Sequence, residues 1–210
     1  MWITTYGLLV SSFCAANDSQ SFPPMRSPIA VHSLIANWSR GLRLVEVGTR
    51  QGDSIACYKR YASYLMAIEI SPAYCRSLRL HASATVDVLC PTNAFASSQW
   101  VRQARADAIT FWLDEHTDPM MVEYLFSLKQ QRVLDRATRI WVLSDHQLWE
   151  DLQKMSTIIS RWRLHVARVE NVSFDERSRC NAGMRLSRKR PSRYVNCRRA
   201  VGTFSVIELM

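Results

Sequence analysis

Apolar positions along the chain fall into short runs broken by polar turns, and their spacing switches between two periods. Leu42, Leu44, Val45 and Val47 form a run that stops at Gly48, and a second glycine, Gly52, follows. Beyond Asp53 and Ser54 the apolar positions become Ile55, Tyr58, Ala62 and Leu65, the spacing of a helix with one buried face. The pattern predicts a buried strand, a tight glycine turn and a helix. Such a turn turns backbone N–H groups and a positive helix end toward a ligand, and glycine lets that ligand approach the main chain closely.

The same alternation continues. Ile29, Val31, Leu34, Ile35 and Trp38 predict a helix closed by Ser39, Arg40 and Gly41. Residues 64–70 predict a second strand that carries a carboxylate, Glu69, at its end. Ser71 and Pro72 then start a helix through Tyr74, Leu78 and Leu80, with proline suited to the first turn. Further strands are predicted at Val86–Leu89, Ala108–Leu113 and residues 140–143. Asp118 and Pro119 form an N-cap and N1 pair for a helix that buries Met121, Leu125 and Leu128. Residues 148–162 predict an amphipathic helix, and residues 164–169 and 203–209 predict the last two strands. No internal repeat is visible.

A chain of 210 residues that is 48% hydrophobic suits one globular domain with a substantial core. No apolar run approaches the roughly 18–20 residues of a membrane span. The net charge of +9 is confined to one segment. Between Arg161 and Arg199 stand 12 Lys/Arg and 3 Asp/Glu, which leaves 15 of each in the rest of the chain. The basic insert, residues 170–200 with Arg188, Lys189 and Arg190, reads as a solvated loop or, through residues 185–199, as a patch for nucleic acid or another acidic partner. Aromatic residues for base stacking are sparse there.

The six cysteines have no CxxC spacing, so no zinc site is expected and free buried thiols are. Residues 1–16 are apolar and end in small residues, as a secretory signal does, but lack a basic start. Sequons at Asn17, Asn37 and Asn171 lean the same way. The expected domain layout is an N-terminal apolar segment and linker over residues 1–28, then one domain over residues 29–210.

Glu46-x-Gly48-x-x-x-Gly52 resembles the first motif of class I S-adenosylmethionine-dependent methyltransferases, and the dinucleotide fingerprint G-x-G-x-x-G is absent. Glu69 lies 21 residues beyond Gly48, the interval that places an acid at the tip of the neighbouring strand, where it can accept ribose hydroxyls. The resemblance covers roughly residues 44–148. It implies an α/β, three-layer Rossmann-like fold with a mostly parallel seven-stranded sheet and an antiparallel last strand. It also implies S-adenosylmethionine as cofactor, held by Glu46, Gly48, Thr49, Gly52, Ser54, Glu69, Ile70 and Asp114. Family members commonly place an Asp after the third strand to accept from the adenine amino group; here Thr92 or Asn93 stands in its place. A cytoplasmic location follows from the cofactor, with secretion as the alternative.

Strands four and five both end in polar clusters, Asp114 with His116 and Asp145 with His146. In an open parallel sheet the carboxyl ends of strands form the ligand crevice. Two roles compete for these residues. Asp114, Asp145 and His146 resemble the magnesium ligands of catechol-type methyltransferases, but His146 stands where those have Asn, and magnesium prefers oxygen. In the favoured reading no metal is bound and a histidine is the general base, His116 ahead of His146. The bland alternative leaves Asp114 as a cap and both histidines as loop residues. The expected activity is methyl transfer to oxygen or nitrogen of a small or medium-sized acceptor. The competing reading is a non-catalytic nucleoside-binding protein of this fold whose basic insert docks an acidic partner.

Overall fold

The computed structural model describes residues 29–50, 52–92, 97–113, 123–124, 127–128, 138–144, 160, 166–175 and 201–210. In chain order they form α1 (Ile29–Trp38), β1 (Arg43–Val47), α2 (Asp53–Tyr58), β2 (Tyr64–Ile68), α3 (Pro72–Leu78), β3 (Val86–Leu89), α4 (Ser98–Ala104), β4 (Ala108–Leu113), β5 (Arg139–Ser144), β6 (Val166–Asp175) and β7 (Val201–Leu209). The strands form one seven-stranded sheet in the order β3-β2-β1-β4-β5-β7-β6. The pairs β1–β2, β1–β4, β2–β3 and β4–β5 are parallel, whereas β7 runs antiparallel to β5 and to β6. The fold is therefore α/β, Rossmann-like, with an antiparallel last strand, as expected.

The continuous apolar runs follow from burial on both sheet faces. Neighbouring residues of one strand enter opposite halves of the core. Val45, Met66, Ile68, Ile109, Ile140, Val142 and Ile207 pack on one side with Val101 and Ala104 of α4 and with Tyr124 and Leu128. Leu44, Leu65, Ala67, Ala108, Trp141, Leu143 and Val206 pack on the other with Val31, Ile35, Ile55, Tyr58 and Leu78 from α1, α2 and α3. Trp141 is fully buried against Trp38, with ring centroids 5.6 Å apart, and its indole N–H donates to Glu208 Oε1 at 3.1 Å.

Several boundaries depart from the expectation. The helix after the glycine turn ends at Tyr58, and the chain then turns through residues 59–63, which are tied back to the two residues before β1 by Gly41 N–H to Tyr61 O and Ser63 N–H to Leu42 O. Leu65 belongs to β2, where strand geometry buries it on the same side as Ile55. Leu80 was expected on a buried helix face but is 86% exposed, because α3 gives way to a 3-10 turn at Arg79–His81. β6 runs on to Asp175, so residues 170–175 are strand and not insert. Glu170 is buried there and accepts two hydrogen bonds from the Arg168 guanidinium, at 2.8 and 2.6 Å. Arg168 itself lies over the Trp38 ring, 4.5 Å from its centroid.

The free thiols are also corrected. Cys75 and Cys90 form a disulfide, Cys57 is disulfide-bonded as well, and no cysteine among the described residues is free. The reason is tertiary: α3 folds back along β2, and parallel pairing sets the end of β3 beside the end of β2, so the Cα atoms of Cys75 and Cys90 come within 6.0 Å. No helix among the described residues is long and apolar enough to cross a membrane.

The β6–β7 hairpin outruns the sheet. Among the described residues the last pair between β5 and β7 is Ser144 with Ser205, yet β7 continues to pair with β6 through Phe204–Val172, Thr203–Ser173, Gly202–Phe174 and Val201–Asp175. The extra pairs project past the carboxyl ends of the parallel strands, by roughly 13 Å at about 3.3 Å per residue.

Candidate nucleoside site

The glycine turn lies at the carboxyl end of β1, the central strand between β2 and β4. Gly48 has φ +82° and Gly52 φ +94°, conformations that side chains rarely adopt. Between them Arg50, at φ +53°, holds the left-handed region without glycine's freedom, at a cost of roughly 1–2 kcal/mol. Gly48 N–H donates to Ile68 O at 2.9 Å, which fastens the start of the turn to the end of β2.

The two glycines serve different ends. A Cβ placed on Gly48 meets nothing within 4 Å, and the residue is exposed. A Cβ placed on Gly52 would lie 2.8 Å from both His81 Cδ2 and Leu78 Cδ1, so this glycine admits the end of α3. The open side of the turn is therefore at Gly48. Beside it the Thr49 hydroxyl is buried and has no hydrogen-bond partner among the described residues.

Glu69 follows β2 and is 5% exposed. Its Oε2 accepts from Arg50 N–H at 2.6 Å and its Oε1 from Ser71 N–H at 2.8 Å. These bonds point the carboxylate at the glycine turn. A carboxylate oxygen can accept a second hydrogen bond, so two further donors can be met from the open side. Ile70, next in the chain, is 40% exposed, and Tyr74 on α3 is 38% exposed, leaving apolar surface beside the carboxylate.

Glu46 and Ser54 lie beneath the turn. Glu46 is fully buried, and Ser54 Oγ donates to its Oε2 at 2.6 Å. Their place is in the interior, where they join β1 to α2. The phenol of Tyr58 is raised well above its ordinary pKa, first by burial and then by the Glu46 carboxylate. On the other side of the sheet, burial pushes the Tyr124 phenol up to about 12, opposed by its hydrogen bond with the Ser97 hydroxyl.

The expected site thus divides. Gly48, Thr49, Glu69 and Ile70 follow the carboxyl ends of the neighbouring strands β1 and β2, and Thr92 is exposed beyond the end of β3. Glu46, Gly52 and Ser54 support the turn from inside. Asn93, Asp114, His116, Asp145 and His146 lie outside the described residues. Among the described residues no group of three or more His, Cys, Asp or Glu could hold a metal ion. The sequence reading missed Arg50 as the donor that orients Glu69, and missed the partnership of Cys75 with Cys90. A basic residue inside a glycine turn carries no sign that its backbone is what matters.

No protein-family model matches the chain, and no curated protein sequence is detectably similar. Solved structures are similar in fold. An S-adenosylmethionine-dependent methyltransferase from Geobacter sulfurreducens, in complex with S-adenosyl-L-homocysteine, is 12% identical with a TM-score of 0.55, covering 96% of this chain and 97% of that one. Precorrin 8w decarboxylase from Methanobacterium thermoautotrophicum is 13% identical with a TM-score of 0.58, covering 92% and 95%. Sp1610 of Streptococcus pneumoniae, described as a tRNA (m1A22) methyltransferase in complex with S-adenosyl-L-methionine, is 12% identical with a TM-score of 0.58, covering 85% and 71%. At such identities the likeness is one of fold.

Proposed function

We propose that the chain binds S-adenosylmethionine in the crevice between the glycine turn and Glu69, and transfers its methyl group to oxygen or nitrogen of a small or medium-sized acceptor. One observation carries the reading: the Glu69 carboxylate is held against the turn by Arg50 N–H at 2.6 Å, beside an exposed Gly48 with open space before it. The fit is chemical as well as spatial, since Glu69 keeps acceptor capacity for ribose hydroxyls and Ile70 offers apolar surface to the base. Bound there, S-adenosylmethionine supplies a methyl group on a sulfonium centre, open to in-line attack by the acceptor. The chain's part is to hold the pair in near-attack geometry and to remove a proton from a hydroxyl acceptor. His116 is the favoured base, ahead of His146, with Asp114 and Asp145 at the same strand ends. Mass spectrometry of gently purified protein should show a retained adenosyl ligand, and calorimetry should show binding of S-adenosylhomocysteine. Absence of both defeats the reading.

A second reading is favoured by the cystines. Disulfides form and persist in oxidising surroundings, which supports the secreted location over the cytoplasmic one. S-adenosylmethionine is an intracellular metabolite, so that location favours a non-catalytic nucleoside-binding protein. The basic segment between Asp175 and Val201 holds 9 Lys/Arg and 1 Asp/Glu. Both of its roots lie past the carboxyl ends of the strands, on the side of the crevice. That supports an acidic partner or a nucleic-acid acceptor. Methyl transfer to added acceptors separates the two readings. A polyanion contact should weaken steeply with salt, as counterion release requires.

A further inference from the structure

The Cys75–Cys90 disulfide lies beside Glu69. It joins the first turns of α3, six residues after Glu69, to the residue that follows β3. Both of its ends lie beside the backbone of Glu69. Cys75 Sγ lies 3.2 Å from Glu69 O, a contact and not a hydrogen bond, since a bonded sulfur carries no hydrogen. At the other end Glu69 N–H donates to Leu89 O at 3.0 Å, one residue before Cys90. Glu69 is thus enclosed on its backbone by the cross-link and on its side chain by Arg50 and Ser71.

The chain leaving Cys90 passes through Pro91 to Thr92 at the carboxyl end of the sheet. Among the described residues no other disulfide ties the segment after β3 to α3. Ile70 and Tyr74, both exposed, lie on the short stretch between Glu69 and Cys75, just ahead of the cross-link. Cys75 is 4% exposed while Cys90 is half-buried, so the Cys90 end is the more open of the two.

We propose that Cys75 and Cys90 are positioning residues for the nucleoside end of the crevice, and that the disulfide form is the form that binds. The inference rests on the nucleoside site proposed above. It adds a redox dependence: a dithiol reductant gives two electrons and two protons to the cystine, leaving two thiols and its own cyclic disulfide. The reduced chain then keeps its sheet but no longer holds α3 and the end of β3 in fixed relation around Glu69.

The experiment is calorimetry with S-adenosylhomocysteine and with adenosine, below the unfolding temperature of every sample. The oxidised parent is compared with the Cys75→Ser/Cys90→Ser double variant and with Cys57→Ser, which removes a different bridge. We expect the double variant to bind both ligands about tenfold more weakly, as loss of preorganisation requires, and Cys57→Ser to bind as the parent does. Equal losses for adenosine and for S-adenosylhomocysteine would locate the effect at the nucleoside end. Should the double variant not fold, the folded parent is reduced with dithiothreitol, the Cys75 and Cys90 thiols are counted by alkylation and mass spectrometry, and affinity is followed against that count. Unchanged affinity in the folded double variant, or in parent with both thiols released, overturns the proposal. If the oxidised parent binds neither ligand, the nucleoside site itself has failed.

Discussion

Ser54 Oγ donates to Glu46 Oε2 across 2.6 Å in the interior, so the last buried acid of β1 and the first turn of α2 are joined directly beneath the glycine turn. Removing the hydroxyl leaves a buried carboxylate short of one donor. Ser54→Ala should therefore lower stability by about 1–3 kcal/mol. A denaturant titration checks this, and an unchanged midpoint would show that the bond contributes nothing.

Gly48 and Gly52 should respond differently to the same substitution. Gly48→Ala places its methyl group in open space, so the fold loses only the strain of a positive φ, about 1–2 kcal/mol. Its effect should fall on the affinity for S-adenosylhomocysteine. Gly52→Ala adds overpacking against His81 and Leu78, a further 1–3 kcal/mol or so. Thermal unfolding and calorimetry on both variants decide the matter; equal destabilisation with equal binding would refute the division.

Glu69→Gln keeps the size of the side chain and removes its charge. The backbone donors of Arg50 and Ser71 then face one carbonyl oxygen and one amide nitrogen in place of two acceptors. Binding of S-adenosylhomocysteine should weaken by about 1.5–3 kcal/mol, the range for hydrogen bonds to a charged group. Calorimetry showing parental affinity would remove Glu69 from the site.

Alkaline pH should unfold the protein in a defined window. The phenols of Tyr58, Tyr64 and Tyr124 all have raised pKa values, chiefly through burial, so the folded state holds these protons more tightly than the unfolded state does. The stability that follows is fully present below the unfolded tyrosine pKa of about 10 and is lost as pH climbs above it. Stability measured against pH should be flat on this account up to about 10 and fall beyond. Tyrosinate absorbance should rise together with unfolding. Early titration of all the tyrosines in folded protein would contradict it.

Much of the sheet was legible because two-sided burial writes itself as continuous apolar runs. β3 and β4 have the bounds expected of them, and β1, β2 and β5 are within a few residues. The acid at Glu69 was legible for the same reason, since it interrupts an apolar run at the place where the run meets solvent. The roles of Glu46 and Ser54 were not, because a motif shows which residues recur and not which way they face. Leu65 satisfies the helical period and the strand period at once, and only the turn at residues 59–63 decides between them. The continuation of β6 was hidden by charge: Glu170 reads as part of a basic loop until Arg168 is seen to pair with it. The Cys75–Cys90 bond had no local signal at all, because the two residues meet only once β3 has paired with β2.

The length of β7 makes one strand belong to two regimes of motion. From Ser205 to Leu209 it is paired on both sides, with β5 and with β6, and Val206, Ile207 and Leu209 are buried. From Val201 to Phe204 its partner among the described residues is β6 alone. Amide hydrogen exchange should record that boundary, since backbone bonds in the sheet centre open only with global unfolding and a two-stranded arm opens locally. Exchange along β7 should then slow abruptly near Ser205, and the basic segment would be carried on an arm that can fray while the sheet beneath it stays closed.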